Sequence, residues 1–177
     1  LLGALSIPML IFFGQRYVST KFGLIWSMFY AASLLPFLYF KSGIIDPWFN
    51  TFIFLSFIMA YEYTQYKSKY NILLLSGLFC GLAIMTKGPA ALLILGIAAV
   101  VLSVFKQKFI IPFQHFLVWL LIAATIPALW FFIDYLANGP FFFHSFIEYQ
   151  IRLLTTEDAG HGGFPGYHFV VVLLGCF

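Results

Sequence analysis

Apolar residues along this chain come in runs of membrane-spanning length, separated by short polar stretches. A helix crossing a bilayer needs about 20 mostly apolar residues, and the pattern predicts such helices at about 1–13, 22–40, 48–66, 72–86, 90–105, 116–133 and from 167 onward. The first and last are truncated, and the chain therefore reads as a piece of a longer protein. No stretch has the composition of an independent soluble domain or a long linker. Residues 1–177 are expected to form one all-α, polytopic transmembrane helical bundle, with about five full spans and two truncated ones.

The run from Ile72 to Phe105 contains a single charge, Lys87. As one helix it would be about 51 Å long at 1.5 Å per residue, against a hydrocarbon core of about 30 Å. Gly88-Pro89 supplies a break, because proline is poor inside a helix and good in the first turn of a new one. Two shorter helices meeting at Lys87 are predicted. With that hairpin the loops alternate sides and the charges sort. Arg16, Lys21, Lys67, Lys69, Lys106 and Lys108, six of the nine basic residues, share one side, which the positive-inside rule makes cytoplasmic. Asp46, Lys87 and the loop 134–166, with Asp134, Glu148, Glu157 and Asp158, share the other.

Composition agrees: 63% of the 177 residues are hydrophobic and 8% are charged, against roughly 25% charged in an ordinary globular domain. A net charge of +3, scattered along the chain, excludes nucleic acid as a partner. No Gly-rich nucleotide fingerprint follows a strand. Cys80 and Cys176 both fall in apolar runs, which argues against a disulfide framework or a metal pair.

The outer side collects the residues that could carry chemistry. Lys87, at the tip of a hairpin, can extend its stem to the interface as an anchor, or it can meet the phosphate of a lipid. In "KSGIIDPWFN", Asp46 before Pro47 suits a helix start with the acid as N-cap, and its carboxylate could also organise a site. In "PFFFHSFIEYQIRLL" a helix would align Phe143, Ile147, Ile151 and Leu154 on an apolar face and His144, Glu148 and Arg152 on a polar one. This predicts an amphipathic helix lying in the interface, in which a Glu148–Arg152 ion pair would be favourably ordered.

The following "TEDAGHGGFPGYH" surrounds His161 with Gly160, Gly162, Gly163 and Gly166. Such a loop can act as a flexible connector or bring successive amides round an anion. No cofactor is expected. A divalent metal stays open, since His144, Glu148, His161 and His168 are available, although their spacing matches no standard zinc pattern.

Three stretches, "SGIIDPWFN", "GLFCGLAIMTKGPAALLI" and "YQIRLLTTEDAGHGGFPGYHF", in this order and on one predicted side, resemble the bacterial branch of the protein O-mannosyltransferase family. That branch includes the aminoarabinose transferases that modify lipid A, within the C-type glycosyltransferase superfamily. The resemblance runs from about Phe22 to the end of the chain. It implies a partial C-type glycosyltransferase fold in the cell inner membrane, with the site on the periplasmic face. The implied reaction takes a sugar from a polyisoprenyl-phosphate donor to an acceptor that is lipid A, a protein or another glycan.

By the same resemblance Lys87 and Arg152 contact the lipid phosphate, and Asp46 corresponds to the family's second outer-loop aspartate, a catalytic position. His161, Gly162 and Gly163 form the loop over the site, and Glu148 and His144 support it from behind. The family's principal catalytic acid lies in the first outer loop, so the general base is expected upstream of Leu1. Tyr149 stands where some relatives carry a histidine. A transporter or flippase of a lipid-linked sugar would use the same cations without chemistry, and a structural subunit of a cell-envelope complex would not need them.

Overall fold

The computed structural model describes residues 2–65, 70–106 and 111–155, and within them the regular structure is α-helical. These residues fall into two compact units, one ending at Trp48 and the other beginning at Phe49.

The first unit contains α1 (Leu2–Tyr17), α2 (Thr20–Ala32) and α3 (Leu34–Ser42). α1 and α2 touch backbone to backbone: a Cβ added at Gly14 would lie 2.5 Å from the Cα of Gly23. Small residues at a helix crossing allow this approach, which gives apolar helices close packing where lipid supplies no hydrophobic drive. Ser19 caps α2, its hydroxyl oxygen accepting from the Phe22 N–H at 3.1 Å.

The pattern predicted one helix over 22–40, but the structure bends it by 60° between α2 and α3. Pro36 accounts for the break. It has no N–H for the carbonyl four residues back, and its ring crowds that carbonyl; the residue four back is Ala32, the last of α2. Ser33 is extended there, at φ −70° and ψ 131°, and its hydroxyl donates back to Phe29 O at 2.7 Å.

The second unit takes α4 (Asp46–Gln65) from Phe49 onward, then α5 (Tyr70–Lys87), α6 (Ala90–Lys106), α7 (Phe113–Asn138) and α8 (Phe141–Thr155). α5 and α7, of 18 and 26 residues, are each long and apolar enough to cross a membrane, and α6 is a shorter apolar helix. The chain is thus a helical membrane protein.

Gly77 and Gly81 let α5 lie directly on α7, since Cβ atoms there would come within 3.0 Å of Trp119 O and 2.7 Å of Ala123 O. Pro127, inside α7, has no N–H to give Ala123 O. The carbonyl left without its helical donor is the one against which Gly81 packs. Beside this contact Ser56 and Ser76 exchange hydrogen bonds, Ser56 Oγ to Ser76 O at 2.9 Å and Ser76 Oγ to Ser56 O at 2.7 Å. Trp119 Nε1 donates to Ser76 Oγ at 2.9 Å. This buried polar clamp ties α4, α5 and α7 within an otherwise apolar cluster of Tyr63, Leu73, Cys80, Leu95, Trp119 and Ala123.

The break predicted at Gly88-Pro89 is present. Gly88 has φ +66°, a left-handed conformation costly for other residues, and its N–H donates to Ile84 O at 2.7 Å. The Leu92 N–H donates to Pro89 O at 3.0 Å, starting α6. Ala91 then packs with Ala83, and Leu95 joins Cys80, so that α6 folds back along α5.

Candidate functional site

Lys87 is the last residue of α5 and is exposed, a placement that suits a cation at the negative end of the helix dipole. Its Nζ stands 5.5 Å from the ring centroid of Phe49. Phe49 is itself buried against Ala83 and Ala91, one residue from either side of the α5–α6 hairpin. The ring contributes an attraction of about 0.5–1 kcal/mol at an exposed position. Thr86 turns inward, donating its hydroxyl to Ala83 O at 2.7 Å.

The next residue brings in α8. A Cβ built on Gly88 would lie 3.0 Å from Nε2, 3.3 Å from Cδ and 3.4 Å from Oε1 of Gln150. The carboxamide therefore rests against the bare α-carbon of the bend. Two demands meet at this position, a positive φ and the room for Gln150, and glycine satisfies both.

α8 is placed by aromatic packing. Gly139, at φ +72°, ends α7 with its N–H on Tyr135 O at 2.9 Å. The chain turns, and Phe131 of α7 meets Phe142, Phe143 and Phe146 with ring centroids 6.0, 5.7 and 5.1 Å away. Phe142, Phe146 and Gln150 follow at i, i+4 and i+8, one face of the helix, so the same face that docks on α7 delivers Gln150 to Gly88.

The stripe that the pattern makes the apolar face of an interfacial helix is exposed, as a face meant for lipid is. Phe143, Ile147 and Ile151 are 48%, 41% and 55% exposed; the side chain of Leu154 lies outside the described residues. α8 thus has a protein-facing edge, an exposed apolar stripe and, beyond it, the polar edge of His144, Glu148 and Arg152. That arrangement fits a helix in the membrane interface.

Arg152 is exposed, with its guanidinium carbon 5.6 Å from the ring centroid of Tyr149. It follows Gln150 by two residues, a rotation of about 200° around the helix. The structure thus joins the Lys87 bend to α8 through Gln150, while Arg152 projects from the other side of that helix, beside Tyr149. The Glu148–Arg152 ion pair that the spacing allows does not form: Glu148 is exposed and its carboxylate has no ion pair among the described residues. His144 is exposed beside the Phe143 ring, with centroids 6.3 Å apart.

Asp46 belongs to the first unit, where it opens α4 half-buried, with Pro47 in the first turn and the Trp48 N–H donating to Ile45 O at 3.1 Å. His161, Gly162, Gly163 and His168 lie outside the described residues. Among the described residues no group of three or more His, Cys, Asp or Glu side chains could hold a metal ion.

The pattern reading missed Gln150, a single uncharged residue between more conspicuous neighbours. Its signal was the four-residue spacing from Phe142 and Phe146. The Ser56–Ser76–Trp119 clamp was missed as well, since its members are 20 and 43 residues apart in sequence.

No protein-family model matches the chain, and no solved structure matches it. Among curated proteins it is similar to undecaprenyl phosphate-alpha-4-amino-4-deoxy-L-arabinose arabinosyl transferase 2 of Proteus mirabilis (strain HI4320). The two are 26% identical over 152 residues, which is 84% of this chain and 28% of the relative. The chain therefore spans less than a third of that transferase's length.

Proposed function

We propose that this chain serves in a membrane glycosyltransferase that moves a sugar from a polyisoprenyl-phosphate donor to an acceptor at the outer, periplasmic face of the inner membrane. The observation that carries the reading is the seat of Gln150 on Gly88, which links the Lys87 bend to the helix bearing Arg152. Similarity to an enzyme named for undecaprenyl phosphate aminoarabinose supports the donor class. Lipid A, a protein and another glycan remain the acceptors to compare.

In the proposed step an acceptor oxygen attacks the anomeric carbon of the sugar. The bond from that carbon to the phosphate oxygen breaks, the phosphate takes the electron pair, and a base takes the acceptor's proton. Negative charge grows on the departing phosphate. A preplaced ammonium and guanidinium at a boundary poor in water favour that transition state over the ground state, and the guanidinium fork matches phosphate oxygens pairwise. Asp46 is the candidate catalytic carboxylate of the chain. His161, Gly162 and Gly163 are the candidate cover of the site, with Glu148 and His144 behind Arg152.

The test is transfer from undecaprenyl-phosphate-linked sugar by the full-length protein. Arg152→Ala should lower turnover by about 10²- to 10³-fold with membrane insertion intact, and unchanged turnover would reject the phosphate role. Lys87→Ala should weaken donor binding more than Lys41→Ala does. Equal effects would make Lys87 an anchor. Donor movement across vesicles without transfer to any acceptor would favour a flippase instead.

A further inference from the structure

We infer that Gln150 contacts the substrate sugar, its carboxamide hydrogen-bonding a hydroxyl or amino group of the saccharide whose phosphate is held at Lys87. The inference rests on the phosphate reading of Lys87 given above and adds the part of the site that reads the sugar.

Position comes first. The Gln150 carboxamide lies against the α-carbon of the residue that follows Lys87, with Nε2 nearest. The side chain is half-buried, so one side of it is reachable. Gly88 directly follows Lys87, so a group seated on Gly88 stands beside the bend that carries the phosphate-binding cation.

Residue choice comes second. In a chain that is 63% hydrophobic, the other members of the same helix edge, Phe142 and Phe146, are aromatic. Packing on a glycine would be served as well by leucine or methionine. The carboxamide instead makes no hydrogen bond with any described residue. A polar group partly withdrawn from water without a partner is unfavourable, and a ligand that completes its hydrogen bonds removes that cost.

Chemical type comes third. A carboxamide offers an N–H donor and a carbonyl acceptor together, which matches a hydroxyl or an amine. Phosphate oxygens only accept, and the two cations are the stronger partners for them. A neutral group able to give and receive is the complement that the cations lack.

The experiment uses the full-length protein in nanodiscs and measures affinity for three probes: bare undecaprenyl phosphate, undecaprenyl phosphate carrying 4-amino-4-deoxy-L-arabinose, and undecaprenyl phosphate carrying mannose. Wild type should bind at least one glycosylated lipid more tightly than the bare one. Gln150→Met, which keeps length and packing, should retain bare-lipid affinity within about twofold and lose about tenfold for the preferred glycosylated lipid. Gln150→Ala should repeat that selective loss.

Equal loss on bare and glycosylated lipids would make Gln150 a prop for the bend and overturn the inference. No loss on either, or a wild type that gains nothing from the sugar, would overturn it too. Failure of the underlying reading looks different, since Lys87→Ala would then leave bare-lipid affinity unchanged.

Discussion

At the scale of single residues, the closest approaches decide which small side chains are replaceable. Gly81 and Gly96 both lie inside apolar helices, where alanine is normally favoured over glycine by about 1 kcal/mol. A Cβ at Gly96 would meet nothing within 4 Å, whereas one at Gly81 would lie 2.7 Å from the backbone oxygen of Ala123. A backbone atom cannot swing aside as a side chain can, so Gly81→Ala must push α5 and α7 apart. Overpacking of this kind costs about 1–3 kcal/mol, more than the propensity gain. Unfolding in detergent should therefore find Gly81→Ala less stable than wild type and Gly96→Ala equal or more stable. The reverse order would mean that α5 does not rest on α7 as described.

The Trp119 indole poses a related question. Trp119→Phe removes the donor to Ser76 Oγ and, with it, one of the two rings of the buried indole. Interhelical hydrogen bonds in membrane proteins average about 0.6 kcal/mol and reach about 1.7. The hydroxyl keeps its bond to Ser56 O, but the lost ring volume adds a cavity cost, so a loss above the lower figure is expected in the same unfolding measurement.

At the scale of elements, prolines explain one correct expectation and one incorrect one. At Gly88-Pro89 the break was legible because length forbade a single span and a glycine stood beside the proline. At Pro36 no glycine stands beside the proline, and 22–40 has an acceptable length for one span, so length alone gives no reason for a break. The physical signal was Pro36 itself, which has no N–H to give the carbonyl of Ala32 four residues back. Restoring that N–H tests the explanation. Pro36→Ala should straighten the 60° bend, and the distance between spin labels at Leu24 and Lys41 should lengthen. An unchanged distance would assign the bend to the Ser33 cap instead.

α8 gives the complementary lesson. Its helix, its amphipathic character and its polar edge could be read from periodicity, but the edge that meets protein could not. Periodicity finds an apolar stripe without saying whether protein or lipid covers it. In water the two answers coincide, because an apolar stripe seeks the core. At a membrane they separate, and the stripe of Phe143, Ile147 and Ile151 is exposed while Gln150 faces inward. Charge marks Lys87 and Arg152 as candidates in the sequence, but the contact of the neutral Gln150 with Gly88 needed coordinates.

At the scale of the whole molecule, the proposed chemistry depends on sidedness, which follows from charge. Arg16 and Lys21 flank the turn that contains Val18, while Asp46 follows Ile45 at the other end of the bent α2–α3 pair. Lysine and arginine near span ends hold short loops in the cytoplasm, and acids contribute little, so Val18 should face the cytoplasm and Ile45 the outside. α7 leads away from the basic end of α6 and terminates at Gly139-Pro140, which places Pro140 outside as well. Val18, Ile45 and Pro140 are all exposed, so single cysteines there can be labelled without opening a core. In intact cells an impermeant maleimide should react with Ile45→Cys and Pro140→Cys, and with Val18→Cys only after the membrane is permeabilised. The opposite pattern would turn Lys87 and Arg152 toward the cytoplasm, where an acceptor of the cell surface could not reach the sugar, and the outer-face transferase reading would fall.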